Sequence, residues 1–185
     1  DPERRDHFWM LSYGVPFREA TVHDLILIGP DGSVVDGPAH ATANIAGYNI
    51  HHPLLEVRQD INAAAHTHTA FGTPWSANVE PFRAISQESC SFVFNQAMYE
   101  GEDLEVDSTE GGYRIAEAMG ANTLVILRNH GLLTGGLSPA EAVGWFVIAE
   151  RVAEVHAKAP DGVAISDEMA KHTAESFEDP AMGWR

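Results

Sequence analysis

Two of the ten histidines in this chain of 185 residues, His66 and His68, are separated by a single threonine. They end an apolar run, residues 61–66, that is typical of a buried strand. Because side chains two apart in a strand point to the same face, both imidazoles can converge on one ion. In the alternative interpretation, backbone carbonyls satisfy both rings, and the His-x-His spacing alone leaves the two possibilities open.

A third histidine, His130, follows the clearest predicted strand, residues 123–128, and Gly131 indicates that the chain turns there. Functional side chains often lie where strands end in loops. Three neutral imidazoles would leave one or more positions on a divalent metal open to water or substrate, as in catalytic zinc sites. With Zn, Mn and Fe as options, the softness of imidazole does not select one of them.

The charge balance of the chain excludes some partners. Asp and Glu number 27 against 11 Lys and Arg, for a net charge of −16. Such a surface repels phosphate backbones and anionic lipids, so we expect neither nucleic acid nor a membrane as a partner. The single cysteine, Cys90, permits no disulfide within the chain. A reducing compartment fits best, and we expect a cytoplasmic protein.

The elements that must position the histidines can be predicted from patterning. Strands are expected at residues 24–29, 33–36, 61–66, 84–86, 91–94 and 123–128, the first two forming a hairpin. Helices are expected at 113–119 and from Pro139 to about Ala159, with a complete capping box at Ser138 and Glu141. A short helix begins near Asn44 or after His52, because Pro53 interrupts the pattern. This mixture of strands and helices predicts an α/β layered domain.

Residues 61–69 and 127–134 together resemble the paired histidine motifs of the class II aldolase/adducin family. The resemblance runs through most of residues 8–157. It implies a three-layer α/β/α fold with a central, mostly antiparallel sheet, a homotetramer, and a divalent metal ion on His66, His68 and His130. We therefore expect residues 1–185 to form a single domain of this family that lacks the family's N-terminal part and binds a small-molecule substrate.

One position departs from the family pattern. The resemblance implies that the sugar-phosphate aldolases carry an acidic residue four positions before the histidine that is His51 here, and this position is Gly47. Because glycine cannot titrate, standard retro-aldol chemistry is not expected. Glu88 and His51 are the candidate acid/base residues in its place. In the alternative interpretations, Glu88 is a surface carboxylate and His51 packs its helix against the site.

Three functions remain open at this point. The first is a metal-dependent lyase, of decarboxylase or aldolase type, that cleaves a C–C bond of a small carboxylated or carbonyl substrate. The second is a non-haem iron oxygenase that uses the same three histidines. The third is an adducin-like binding module without catalytic activity.

Overall fold

The computed structural model describes residues 1–102 and 105–177, which form two compact units. The first unit contains residues 1–57 and 105–114, and the second contains the other described residues. The strands are β1 Phe8–Leu11, β2 Leu25–Ile28, β3 Val34–Asp36, β4 Ala63–Thr67, β5 Gln96–Tyr99, β6 Leu124–Leu127 and β7 Gly131–Gly136. The helices are α1 Ile45–Val57, α2 Gly72–Ser76, α3 Cys90–Val93, α4 Thr109–Met119, α5 Pro139–Lys158 and α6 Asp167–Phe177. None of the helices in the described ranges is long and apolar enough to cross a membrane.

The first unit contains an antiparallel sheet in the order β1-β2-β3. Its β2–β3 hairpin confirms the predicted one, and its core gathers Phe8, Ile26, Ile28 and Tyr48. Tyr48, from α1, donates its hydroxyl to the carbonyl of Pro30 at 2.6 Å and so ties the helix to the hairpin turn. The sheet and α1 therefore share one apolar core.

The predicted interruption of α1 at Pro53 is wrong, because the helix runs through this residue. Proline has no N–H to donate to the carbonyl of Asn49, one turn earlier. Gly112 of α4 lies against that carbonyl and the Pro53 ring so closely that a side chain there would collide with both. The close packing of a glycine thus covers the point where α1 lacks a backbone hydrogen bond.

The second unit contains a four-stranded sheet in the order β4-β7-β6-β5. The pairs β4–β7 and β7–β6 are antiparallel, and β6–β5 is parallel. Its core is built from the sheet, α5 and aromatic residues of α2, α3 and the segment between them. The buried members of this core are Trp75, Phe82, Phe92, Leu124, Ile126, Leu132, Phe146, Ala149, Val152 and Ala153.

Two predicted strands of the second unit are wrong. Residues 84–86 are irregular, and the segment predicted as a strand at 91–94 overlaps α3 instead. The cause is local, since the Ser89 hydroxyl accepts the N–H groups of Ile85 and Ser86 and donates to the carbonyl of Ser86. Such side-chain bonds to the backbone favour a turn over a sheet ladder.

The predicted helix at the end of the family match is confirmed as α5, but its capping box is only half formed. The Ser138 hydroxyl accepts the N–H of Glu141 at 3.1 Å, as expected. The Glu141 carboxylate accepts the N–H of Leu137, at 2.9 Å, rather than that of Ser138. The helix start is therefore stabilised one residue further upstream than the capping box predicts.

Near its other end, α5 carries a buried histidine, His156. Its Nε2 accepts the backbone N–H of Arg83 at 2.9 Å, and Nδ1 lies 2.8 Å from the carbonyl of Val152. The imidazole is therefore neutral, with its proton on Nδ1. Burial is the main cause that lowers its pKa below the ordinary value, and the charge of Arg83 lowers the pKa further.

We predict that His156 makes the metal-free protein less stable in acid. In the unfolded chain the His156 imidazole binds a proton near pH 6.5, whereas in the folded chain it binds one only at lower pH. The free energy of unfolding therefore falls as the pH drops below 6.5. In His156→Gln the slope of the free energy of unfolding against pH should be smaller, by at most about 1.4 kcal/mol per pH unit. Urea denaturation between pH 5 and pH 8 measures it, with the exposed His172→Gln as control. Equal slopes in His156→Gln and the unsubstituted chain would contradict the prediction.

Candidate metal centre

The order of strands in the second unit brings the three candidate histidines together. Strand β7 pairs antiparallel with both β4 and β6, so β4 and β6 run in the same direction on either side of it. Their carboxyl ends therefore lie at the same edge of the sheet, where β7 begins. His66 lies in β4, His68 follows directly after it, and His130 lies in the turn between β6 and β7.

The turn that carries His130 requires unusual backbone angles. Asn129 has φ +55°, Gly131 has φ +157°, and the N–H of His130 donates to the carbonyl of Leu127 at 3.0 Å. A Cβ built on Gly131 would lie 3.5 Å from Cε1 of His66. The glycine therefore allows the turn and also lets its backbone approach the His66 ring closely.

The three imidazoles form a compact cluster. Their ring centroids are 4.9–5.5 Å apart, and each pair of rings is nearly perpendicular, at 80–83°. One ring nitrogen from each residue lies within 4.8 Å of the other two. His66 and His130 are half-buried and His68 is exposed. The cluster is therefore open to solvent on the side of His68.

Hydrogen bonding and charge prepare these rings for a metal. His66 Nδ1 lies 2.7 Å from the carbonyl of Leu132, which assigns its proton to Nδ1 and leaves Nε2 as the nitrogen that could bind a metal. Such a backbone partner is usual for a ligating histidine. Burial lowers the pKa of His130, and the neighbouring His68 lowers it further. A lower pKa keeps this imidazole neutral, which is the form that binds a metal.

The donor set fits a divalent ion. Zn–N bonds of about 2.0–2.1 Å place tetrahedral ligands about 3.3 Å apart, so small ring rotations from the present spacing would suffice. Within the described ranges, the cluster consists of the three histidines without a carboxylate. Three neutral nitrogen ligands leave coordination positions for water or substrate and leave the charge of the ion uncompensated.

The two candidate acid/base residues belong to other elements. Glu88 is half-buried in the turn before α3, where its carbonyl accepts the N–H of Ser91 at 3.1 Å. His51 is half-buried in the middle of α1, in the first unit, and burial lowers its pKa to about 4. It is therefore neutral at pH 7. Neither residue is part of the cluster that the described residues form, and their roles stay predictions.

One carboxylate beside the segment that carries His66 and His68 was not predicted from the sequence. Glu150 of α5 accepts the hydroxyl of Thr69 at 2.6 Å and the backbone N–H groups of Phe71 and Gly72 at 2.9 and 2.7 Å. A signal for it exists, since Glu150 is four residues after Phe146 and three before Ala153, both buried. An acidic residue on the buried stripe of a helix needs internal partners.

Residues 2–157 match the profile of the family described as Class II Aldolase and Adducin N-terminal domain. The chain therefore belongs to this family, and the resemblance seen in the sequence is confirmed.

Three individual proteins illustrate the likeness. A Streptomyces roseochromogenus subsp. oscitans protein named 4-hydroxy-3-prenylphenylpyruvate oxygenase/4-hydroxy-3-prenylbenzoate synthase is 31% identical, over 100% of this chain and 67% of its own length. Decarboxylase NovR of Streptomyces niveus is 29% identical, over 100% of this chain and 69% of its own length. The structure of L-fuculose 1-phosphate aldolase from Glaciozyma antarctica PI12 is 32% identical, with a TM-score of 0.88 over 96% of this chain and 70% of that one. The predicted α/β, class II aldolase-like fold is thereby confirmed.

We predict that His66→Ala, His68→Ala or His130→Ala each abolishes stoichiometric metal binding and leaves the fold largely intact. Each substitution removes one of the three nitrogens that the cluster offers. Elemental analysis of protein purified without chelators measures the metal, and circular dichroism measures the fold. The exposed His172→Ala serves as control. Full occupancy in any two of the three variants would disprove the assignment.

Proposed function

We propose that this protein is a metal-dependent enzyme that cleaves a C–C bond, of decarboxylase type, in a small substrate that carries a carboxylate and a carbonyl. The observation that supports it is the cluster of His66, His68 and His130, with three nitrogens within 4.8 Å of one another. The name of one relative, a decarboxylase, agrees with this reaction type. The metal is Zn, Mn or Fe.

In the proposed reaction, the bond between the carboxylate carbon and its neighbour breaks. The electron pair of that bond stays on the neighbouring carbon, which shares it with the oxygen of the adjacent carbonyl, and CO2 leaves. The neighbouring carbon then takes up one proton. When bound, the divalent ion would supply a Lewis acid that polarises the carbonyl oxygen and stabilises the negative charge developing there. The chain's part is to hold three neutral imidazoles at the edge of the sheet and to orient His66 through the carbonyl of Leu132.

Glu88 and His51 are the proposed proton carriers for this step. His51 is neutral at pH 7, so in this step it would relay a proton: one ring nitrogen takes a proton up from water as the N–H of the other gives its proton to the substrate carbon. The test is the dependence of kcat on pH in Glu88→Gln and His51→Gln. Substitution of the residue that carries the proton should remove one limb of the kcat–pH profile, at unchanged metal content. A profile of unchanged shape would remove that residue from the mechanism.

A second function, a non-haem iron oxygenase on the same site, is favoured by the name of one relative, which includes an oxygenase. An all-nitrogen set of ligands with open positions suits ferrous iron as well as zinc. Metal analysis combined with product analysis distinguishes the two. Release of CO2 without oxygen uptake supports the lyase, whereas oxygen uptake with bound iron supports the oxygenase. Absence of metal in protein purified without chelators would leave the third function, an adducin-like binding module.

The proposal also includes a cytoplasmic homotetramer. A tetramer is the assembly that the family resemblance implies, and the single cysteine suits a reducing compartment.

We predict that sedimentation at micromolar concentrations gives a species close to four times the chain mass of 20.1 kDa. The family resemblance motivates this expectation, and no residue substitution is needed to test it. A clean monomer over the same range of concentrations would contradict it.

We predict that the metal-loaded protein is a poor sugar-phosphate aldolase. Gly47 leaves no titratable group at the position where the resemblance implies an acid, and general acid–base help is worth about 10²–10⁴ in rate. Assays with fuculose, ribulose and rhamnulose phosphates measure it, with a bona fide fuculose phosphate aldolase in parallel. Turnover close to that of the aldolase would show that another residue carries the proton.

A further inference from the structure

The segment that follows the His66-x-His68 motif is held by one carboxylate from a distant part of the chain. Glu150 Oε2 accepts both the hydroxyl of Thr69 and the N–H of Gly72, and Oε1 accepts the N–H of Phe71. These partners are 78–81 residues away in sequence. Three donors converge on one side chain and fix the direction in which the chain leaves β4.

The same segment lies close to the turn that bears the third histidine. The Thr73 hydroxyl accepts the N–H of Thr69 at 3.0 Å. A Cβ built on Gly131 would lie 3.7 Å from that hydroxyl, so Thr73 lies directly beside the residue after His130. Hydrogen bonds therefore link Glu150 to Thr69 and Thr69 to Thr73, and Thr73 lies next to the His130 turn.

The position of His68 makes these hydrogen bonds relevant to a metal. His66 lies within β4, where pairing with Leu133 of β7 fixes its backbone. His68 lies beyond the end of β4 and is exposed, so no ladder of strand hydrogen bonds holds it. On its C-terminal side, the backbone of His68 continues into Thr69, which forms hydrogen bonds with both Glu150 and Thr73.

We propose that Glu150 is a positioning residue of the metal centre, which holds the Thr69–Thr73 segment so that His68 and His130 keep the spacing a divalent ion requires. The proposal rests on the proposed metal site at the three histidines. Glu150 acts through Thr69 and touches no reacting atom. Because ordering of the ligands before binding lowers the cost of binding, removal of this restraint weakens metal affinity.

Glutamine is the informative replacement because it has the same shape and one acceptor fewer. In Glu150→Gln an amide NH2 must face either the N–H of Phe71 or the pair formed by Thr69 and Gly72, so one side of the arrangement is lost. At Thr69, valine removes the hydroxyl and serine keeps it. Glu154→Gln is the matched control, since Glu154 lies one turn further along α5 and pairs with the exposed Lys158.

The test measures the Kd for Zn²⁺ by competition with a chromophoric chelator, on the whole chain after removal of metal. Glu150→Gln is expected to raise the Kd about 10–100-fold, the usual effect of losing a partner beyond the ligands. Thr69→Val should raise the Kd as well, while Thr69→Ser and Glu154→Gln should leave it within twofold. The visible spectrum of the Co²⁺ form should change in Glu150→Gln and stay unchanged in Glu154→Gln.

Coupling separates positioning from general loss of stability. The double variant Glu150→Gln/Thr69→Val should bind Zn²⁺ about as weakly as whichever single variant binds it more weakly, because both changes weaken the same restraint on the Thr69–Thr73 segment. Independent, additive effects on the Kd would overturn the proposal, as would a Kd in both single variants within twofold of the unsubstituted chain.

If the unsubstituted chain binds no Zn²⁺, Mn²⁺ or Fe²⁺, the proposed metal function fails and this proposal fails with it. Normal binding there with unaffected variants overturns only the role of Glu150.

Discussion

The pairing of β7 between β4 and β6 is the constraint on which the candidate site depends. It makes the two flanking strands parallel and brings their carboxyl ends to one edge of the sheet. It also supplies the carbonyl of Leu132 that orients His66. A register shift of one residue would turn His66 to the opposite face and disperse the three ligands. The buried residues of β7 thus specify the geometry of the histidine cluster as well as the core.

The stability of the sheet and the geometry of the site come from the same helix. α5 packs Phe146, Ala149 and Ala153 into the core, and Glu150 stands between them on the same side. A carboxylate placed there is costly unless donors satisfy it, and three donors of the Thr69–Gly72 segment do so. The requirement to satisfy one half-buried charge therefore links a core helix to the segment after the histidine motif.

Sequence patterns predicted the parts of this structure that depend on neighbouring residues. The β-branched run at 123–128, the hairpin of β2 and β3 and the start of α5 were found because their signals are local. Strand β7 was missed, since Gly135 and Gly136 have low strand propensity, and their small size matters only because Ile61 and the backbone of Ala142 approach so closely. The three histidines could be predicted from local spacing, whereas the bond of His66 to the carbonyl of Leu132 and the bonds of Glu150 to the segment after His68 could not. Those contacts span 66 and about 80 residues of sequence.

The charge of the chain and the charge of the proposed metal site act on an anionic substrate in opposite directions. A net charge of −16 repels anions at long range, but physiological salt screens this field beyond about 8 Å. At the cluster of His66, His68 and His130, three neutral ligands would leave both positive charges of a divalent ion unopposed. A protein carboxylate among the ligands would cancel part of that charge and weaken the polarisation of a substrate's carbonyl oxygen. The proposed all-imidazole metal site would therefore attract a small acid at the ion itself, since attraction there would not depend on the surrounding surface.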